Sequence, residues 1–170
     1  MFSSKQHTEQ ELLQGCLQGD RRLMEAFYKR YFPALYPVAS RYARDELETK
    51  EILNTSMLKA FQHLHTVQTD RPLFPWLKAI VVRTGLDLLR TQFRRQVSAT
   101  LDAAAEVYAE EDTAEWLDAE AVERLLRQLP PLTRAVFNLY AIEGFNHQEV
   151  AVQLDITENN SRWHLHQARQ

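Results

Sequence analysis

With 170 residues, the chain has the length of one or two small domains, and its 45% hydrophobic and 25% charged content is ordinary for a soluble globular protein, which excludes disorder throughout. Four glycines, few strand-like alternations and many Leu/Ala/Glu/Arg/Gln runs predict an all-α fold. The net charge of −3 conceals a basic stretch, Arg21–Arg95, with fourteen Lys/Arg against seven Asp/Glu, followed by Gln96–Glu123 with nine acidic residues and no basic one.

Screening over roughly 8–10 Å limits how far the acidic stretch is felt, so the basic module can still bind polyanions. The N-terminus MFSSKQHTEQELL lacks the apolar core of a signal peptide and no apolar run approaches a membrane span, so a cytoplasmic protein with no membrane insertion is expected. Cys16, the single cysteine, cannot form an intrachain disulfide or a cysteine-paired zinc site and reads as a small core residue.

Thr8-Glu9-Gln10-Glu11 is a capping-box pattern that starts a short helix ending near Gly19. Asp20 can cap the next helix, which carries Leu23, Phe27 and Tyr31 at four-residue spacing and is expected to stop at Pro33. A further segment, PALYPVASRYAR, places Leu35, Val38, Ala39 and Tyr42 on one side, with Pro37 either tolerated or causing a kink. From about Leu47 to His63 the spacing predicts a longer helix with Ile52, Leu53, Ser56, Met57, Ala60 and Phe61 buried, and Glu48, Glu51, Asn54, Thr55 and Lys59 outside. The polar stretch Gln62–Leu73 reads as a loop.

Phe74–Arg95 then reads as one helix, with Pro75 in its first turn and Leu77, Ile80, Val81, Thr84 and Leu88 on the buried face. Trp76, Arg83, Arg90 and Arg94 fall on another strip, with Asp87 among them. Guanidinium groups headed by an indole can hold phosphates and stack on a base. Equally, the strip can be a solvated face with Trp76 half-buried and Asp87 paired to Arg83 or Arg90.

Ser98–Asp112, rich in Ala and acid, reads as a linker that is a frayed helix or extended chain. Thr113 can cap a helix with Leu117, Ala121, Val122, Leu125 and Leu129 facing a core until Pro130-Pro131 ends it. Pro131 opens LTRAVFNLYAIE and Gly144 follows its end. Asn146-His147-Gln148-Glu149 caps a short helix with Val150, Ala151 and Leu154, and Asp155-Ile156-Thr157 turns into a last helix, Glu158–Arg169. This is the helix-turn-helix arrangement, whose second helix enters a major groove, although an αα-hairpin without DNA function can share it. Leu165 and Ala168 face inward on the last helix, leaving Asn159, Arg162, Trp163 and His166 outward or at the rim; Asn and Arg can each make bidentate contacts to base edges, and Trp163 can instead pack on the preceding helix.

Two stretches carry a family resemblance. LPPLTRAVFNLYAIEGFNHQEVAVQLDITENNSRWHLHQAR resembles region 4 of the extracytoplasmic-function sigma factors of the sigma-70 family, with its leucine-proline-proline turn, acidic-glycine step and final S/T-E…R-L…A-R helix. Arg21–Arg95 resembles region 2, with ETKEILNTSMLKAF in place of the segment that docks on the polymerase clamp and FPWLKAIVVRTGLDLLR in place of the promoter helix. The departures are Glu51-Ile52-Leu53-Asn54-Thr55 where Asp-Leu-Val-Gln-Glu is usual, Thr84 for an asparagine, Asp155 for the turn glycine, Ser161 for an apolar residue and His164 for an arginine. The chain also stops at Gln170, earlier than such helices generally end.

The resemblance implies a region 2-like domain over 1–95, an acidic linker over 96–113 and a region 4-like helix-turn-helix domain over 114–170. It implies a promoter-specificity subunit of RNA polymerase, not an enzyme and without cofactor or metal, whose partners are core RNA polymerase, promoter DNA and an anti-sigma factor. Polymerase binding would fall to Glu48, Glu51, Asn54, Thr55 and Lys59. The −10 element would meet Trp76, Lys78, Arg83, Thr84, Arg90 and Arg94, and the −35 element Asn159, Asn160, Arg162, Trp163, His166 and Arg169.

Three other readings stand beside this one. A sigma-like decoy would capture an anti-sigma partner without touching DNA; the missing docking carboxylate and the sparse basic residues of the last helix suit it, while the basic first module does not. An ordinary helix-turn-helix regulator would need neither the aromatic-basic helix nor the docking segment. A metal site at His164 and His166 fails because residues two apart on a helix point about 200° apart. His63 and His65 can meet in a loop, but no third ligand accompanies them.

Overall fold

The computed structural model describes residues 7–67, 71–99, 125–126 and 128–170, with side chains as far as Phe93 in the fourth helix. All regular structure among these residues is helical. Helix α1 is Glu9–Leu17, α2 Arg21–Ser40, α3 Glu46–His63 and α4 Leu73–Ala99, with a 3-10 turn at Leu64–Thr66. Then come α5, Pro131–Phe137, continued by a π-helical turn at Asn138–Ile142, α6, His147–Leu154, and α7, Glu158–Gln167. The chain divides into two compact units, Met1–Thr84 and Gly85–Gln170, with the boundary inside α4.

In the first unit the expected capping box at Thr8 is present: the Thr8 hydroxyl accepts from the Glu11 N–H at 3.2 Å and the Glu11 carboxylate accepts from the Thr8 N–H at 2.8 Å. Gly15 lets α1 lie directly on α2; a Cβ there would stand 2.7 Å from the Cβ of Leu23. Asp20 caps α2 as expected.

Contrary to the expected stop at Pro33, α2 runs unbroken through Pro33 and Pro37. Both prolines are exposed. The carbonyls of Lys29 and Pro33, which lose their helical N–H partners, lie on the same outer side, where water can bond to them. Phe27, Tyr31, Leu35, Val38 and Ala39 keep helical phase across both prolines and are buried, so tertiary burial outweighs the local breaks. Leu12, Leu13, Ile52, Leu53, Met57, Ala60 and Leu64 belong to the same core. Cys16 is buried as expected, and burial pushes its thiol up to about 11.

The stretch expected to be a loop from Gln62 instead continues helical to Thr66. Of the expected linker, Ser98 and Ala99 end α4 and the rest lies outside the described residues, as do Thr113, Leu117, Ala121 and Val122. Leu125, expected to face a core, is exposed; its neighbour Leu126 is the buried one.

In the second unit, α5 starts at Pro131 and its π-helical extension closes with the Glu143 N–H on the Asn138 carbonyl at 2.9 Å. Gly144 follows with φ +79°, a conformation that favours glycine. Asn146 and Glu149 form the expected capping box of α6. Asp155 takes the left-handed conformation, φ 57°, in place of a glycine, and the Ile156 N–H reaches back to the Ala151 carbonyl at 3.1 Å to close the helix end.

Candidate nucleic-acid and polymerase interfaces

Three surfaces follow from this packing. On α3, Leu47, Glu51, Asn54, Thr55 and Leu58 are exposed. Leu47 is 77% and Leu58 59% accessible, and they bracket Glu51 and Asn54 on one stripe at spacings of four, three and four residues. Neither leucine was expected at the interface, although that spacing is readable in the sequence. Asn54 accepts from the Tyr28 hydroxyl at 3.0 Å, and Tyr28, Phe32 and Tyr36 form a ladder along α2 with ring centroids 5.2 and 5.8 Å apart.

Two residues assigned to this outer face are placed elsewhere. Glu48 is 5% exposed; its carboxylate accepts from the Arg44 N–H at 2.6 Å and pairs with the Arg44 guanidinium at 3.1 Å. Lys59 is half-buried and donates to the Thr84 hydroxyl at 3.2 Å. At about 100° per residue both positions fall on the margin of the buried arc, so each charge is drawn to a partner across the helix boundary.

On α4, Leu77, Val81 and Thr84 are buried as expected, with Ile80 and Leu88 half-buried. Val82, Leu86 and Leu89, which project from another side of the helix, are buried as well. Thr84, also assigned to the −10 element, is thus an interior residue whose hydroxyl accepts from Lys59. Arg83 is exposed and Trp76 and Lys78 are half-buried. Arg90 donates to Asp87 at 2.9 Å and, within the second unit, to the backbone carbonyl of Gln153 at 2.7 Å from Nε. The Arg94 side chain lies outside the described residues. Arg83 is therefore the exposed guanidinium of the expected strip among the described residues. His63 and His65 are exposed with ring centroids 6.3 Å apart, and among the described residues no group of three or more His, Cys, Asp or Glu side chains could hold a metal ion.

The third surface is on α7. Thr157 caps the helix by accepting from the Asn160 N–H at 3.2 Å. Ser161 and Leu165 are buried, while Asn159, Asn160, Arg162, Trp163, His166 and Arg169 are exposed. Trp163 is 56% accessible, so it does not pack into the preceding helix; its ring meets His164 edge-on at 4.8 Å. Arg162 donates to Glu158, four residues earlier, at 2.6 Å.

The two polar departures in this helix have polar mates. The Ser161 hydroxyl bonds to His147 Nδ1 of α6 at 2.9 Å, and His164 Nδ1 bonds to the Thr133 hydroxyl of α5 at 3.0 Å. His147 also stacks on Tyr140 at 4.4 Å. Burial holds both imidazoles below their ordinary titration range, with the Arg162 charge adding to the effect at His147. Sequence reasoning did not pair these residues, because they come together only when the three helices pack.

A pH dependence follows. The native unit keeps His147 and His164 neutral below 6.5, while in the unfolded chain each takes up a proton at about that value. As pH falls through 6.5 the unfolded state gains protons first, so the stability of this unit declines until the depressed native values are reached. Amide exchange over 131–167, followed from pH 7.5 to 5, should show protection falling in that window. His164→Asn, which retains a polar group toward Thr133, should remove part of the decline.

The arrangement so far is an exposed polar, aromatic and basic face on the second helix of a helix-turn-helix, plus a basic helical module. Residues 27–95 match the family model of sigma-70 region 2, and residues 119–170 that of sigma-70 region 4. The chain belongs to the sigma-70 family. It is a sigma factor of the extracytoplasmic-function type, a class of DNA-binding transcription regulators and not of enzymes. The ECF RNA polymerase sigma-E factor of Salmonella typhimurium strain LT2 is 25% identical to this sigma factor, over 98% of this chain and 93% of the relative. The RNA polymerase sigma-H factor of Pseudomonas aeruginosa is 22% identical over 97% and 92%. A solved structure of the sigma factor RpoE of Bartonella quintana, in complex with the anti-sigma factor NepR, is 16% identical and covers 85% of this chain and 91% of that one with a TM-score of 0.49.

Proposed function

We propose that this sigma factor binds core RNA polymerase through α3 of its region 2 and directs it to promoters, with α4 meeting the −10 element and α7 reading the −35 element in the major groove. The observation that carries the reading is the outward set on α7, Asn159, Arg162, Trp163 and His166, in a chain that matches region 2 and region 4 in that order. The functional division is 1–95, 96–113 and 114–170. The protein acts in the cytoplasm, where no membrane insertion is needed; among the described residues no helix is long and apolar enough to cross a membrane. An anti-sigma factor is its expected regulator.

Arg83, exposed on α4, supplies phosphate contacts, which position the protein without reading sequence. Leu47, Glu51, Asn54, Thr55 and Leu58 make up the polymerase-facing stripe, an apolar pair enclosing polar groups. Reversing Glu51 to Lys should weaken core binding while leaving the circular dichroism unchanged, because the side chain is exposed. Affinity equal to wild type would move the docking surface off this stripe.

Co-purification with core polymerase, followed by transcription from a promoter library, tests the function as a whole. Transcripts sharing a common upstream element are expected. Absence of promoter-dependent transcripts would overturn this reading in favour of the decoy.

A further inference from the structure

The recognition helix contains one acidic residue, Glu158, and its position is informative. It lies in the first turn of α7, the part of such a helix that approaches base edges. A carboxylate facing duplex DNA is repelled by phosphates and opposes binding unless a donor receives it. In the free protein that donor is Arg162, whose Nη2 lies 2.6 Å from Glu158 Oε1. One carboxylate oxygen is enough for this bond, which leaves Glu158 with unused acceptor capacity and Arg162 with further N–H groups.

We propose that Glu158 is a base-reading residue of this sigma factor, specific for cytosine at the pair adjoining the guanine that Arg162 reads. The proposal rests on the reading of α7 as the −35 helix. Arg162 donates its free N–H groups to guanine O6 and N7, and Glu158 accepts from the exocyclic amine of cytosine, the major-groove donor that a carboxylate fits. The bond between the two side chains persists in the complex and fixes their spacing, so the pair reads two neighbouring base pairs as one unit. Thymine at the cytosine position offers a carbonyl oxygen and a methyl group, neither of which donates to a carboxylate. The carboxylate thus rejects thymine as well as accepting cytosine.

The test uses the full chain assembled with core polymerase, and a duplex library randomised across the upstream element as the probe. Holoenzymes carrying wild type, Glu158→Gln, Glu158→Ala and Arg162→Ala are each put through selection, and the bound duplexes are sequenced. Wild type should enrich cytosine next to one guanine by about tenfold or more, the discrimination of a good base contact. Glu158→Gln should shift that one position toward adenine, whose N6 and N7 a glutamine amide matches, and Glu158→Ala should flatten it. Both variants should bind the library at least as tightly as wild type at low salt, since a charge that repels phosphates is gone. An unchanged base profile in both Glu158 variants would overturn the proposal, and so would a change confined to the guanine position, which would make Glu158 a support for Arg162 only. The underlying reading fails separately: it is lost if Arg162→Ala also leaves every position unchanged. Glutamine is isosteric with glutamate, so folding of that variant, checked by circular dichroism, keeps the result interpretable.

Discussion

Phe27→Ala is expected to destabilise the first unit by about 3–5 kcal/mol, the range for emptying a large aromatic site in a core. Phe27 is 0% exposed, and its ring lies 4.8 Å from that of Tyr31 and 5.6 Å from that of Phe61. Tyr31 is tied in turn to α1, because its hydroxyl donates to Glu9, so the void would open where α1, α2 and α3 meet. A domain is typically stable by only about 5–15 kcal/mol, so the loss is a large share of the total. Denaturant unfolding should show an earlier transition for the first unit, while the amides of 131–167 retain their protection. Core polymerase binding should fall together with folding, since Phe61 belongs to the helix that carries Leu47, Glu51, Asn54 and Leu58. A loss near 1 kcal/mol would mean that the neighbouring rings collapse into the space and that Phe27 is not the centre of this core.

Arg162→Ala is expected to cost about 1–3 kcal/mol at a single base position of the −35 element and to relax preference there. The side chain is exposed and its guanidinium is held by Glu158, so little conformational freedom is lost when it meets a guanine. Arg83→Ala supplies the contrast. Its effect should be similar on all sequences and should lower the salt slope by about 0.9 per phosphate on duplex DNA or about 0.7 on single strands. Measuring both variants in holoenzyme against a substitution series at several salt concentrations separates the two roles. Equal, sequence-independent losses would make Arg162 a phosphate clamp.

Much of this was legible from residues alone wherever the signal is local. The capping boxes at Thr8 and Asn146, the cap at Asp20 and the outward set on α7 depend on side chains and backbone within one turn, so short-range pattern suffices. Glu48 and Lys59 were misplaced for the opposite reason. Each lies at or inside the edge of a buried arc, and its location depends on Arg44 or on a neighbouring helix that no single-helix pattern contains. Leu47 and Leu58 were passed over because an apolar residue is expected inside, whereas exposure on both ends of one stripe marks a surface.

By itself the sequence determined the helical class, the order of the two sigma regions and the residues α7 turns outward, because periodicity, caps and motif spacing are properties of neighbours along the chain. The tertiary structure alone decided that α2 runs through Pro33 and Pro37, that α4 buries Val82, Leu86 and Leu89 as well as its expected face, and that Ser161 and His164 are bonded to His147 and Thr133. These outcomes rest on burial and on partners distant in sequence. Burial can offset a missing backbone donor, and a polar side chain enters a core only where its mate is already placed.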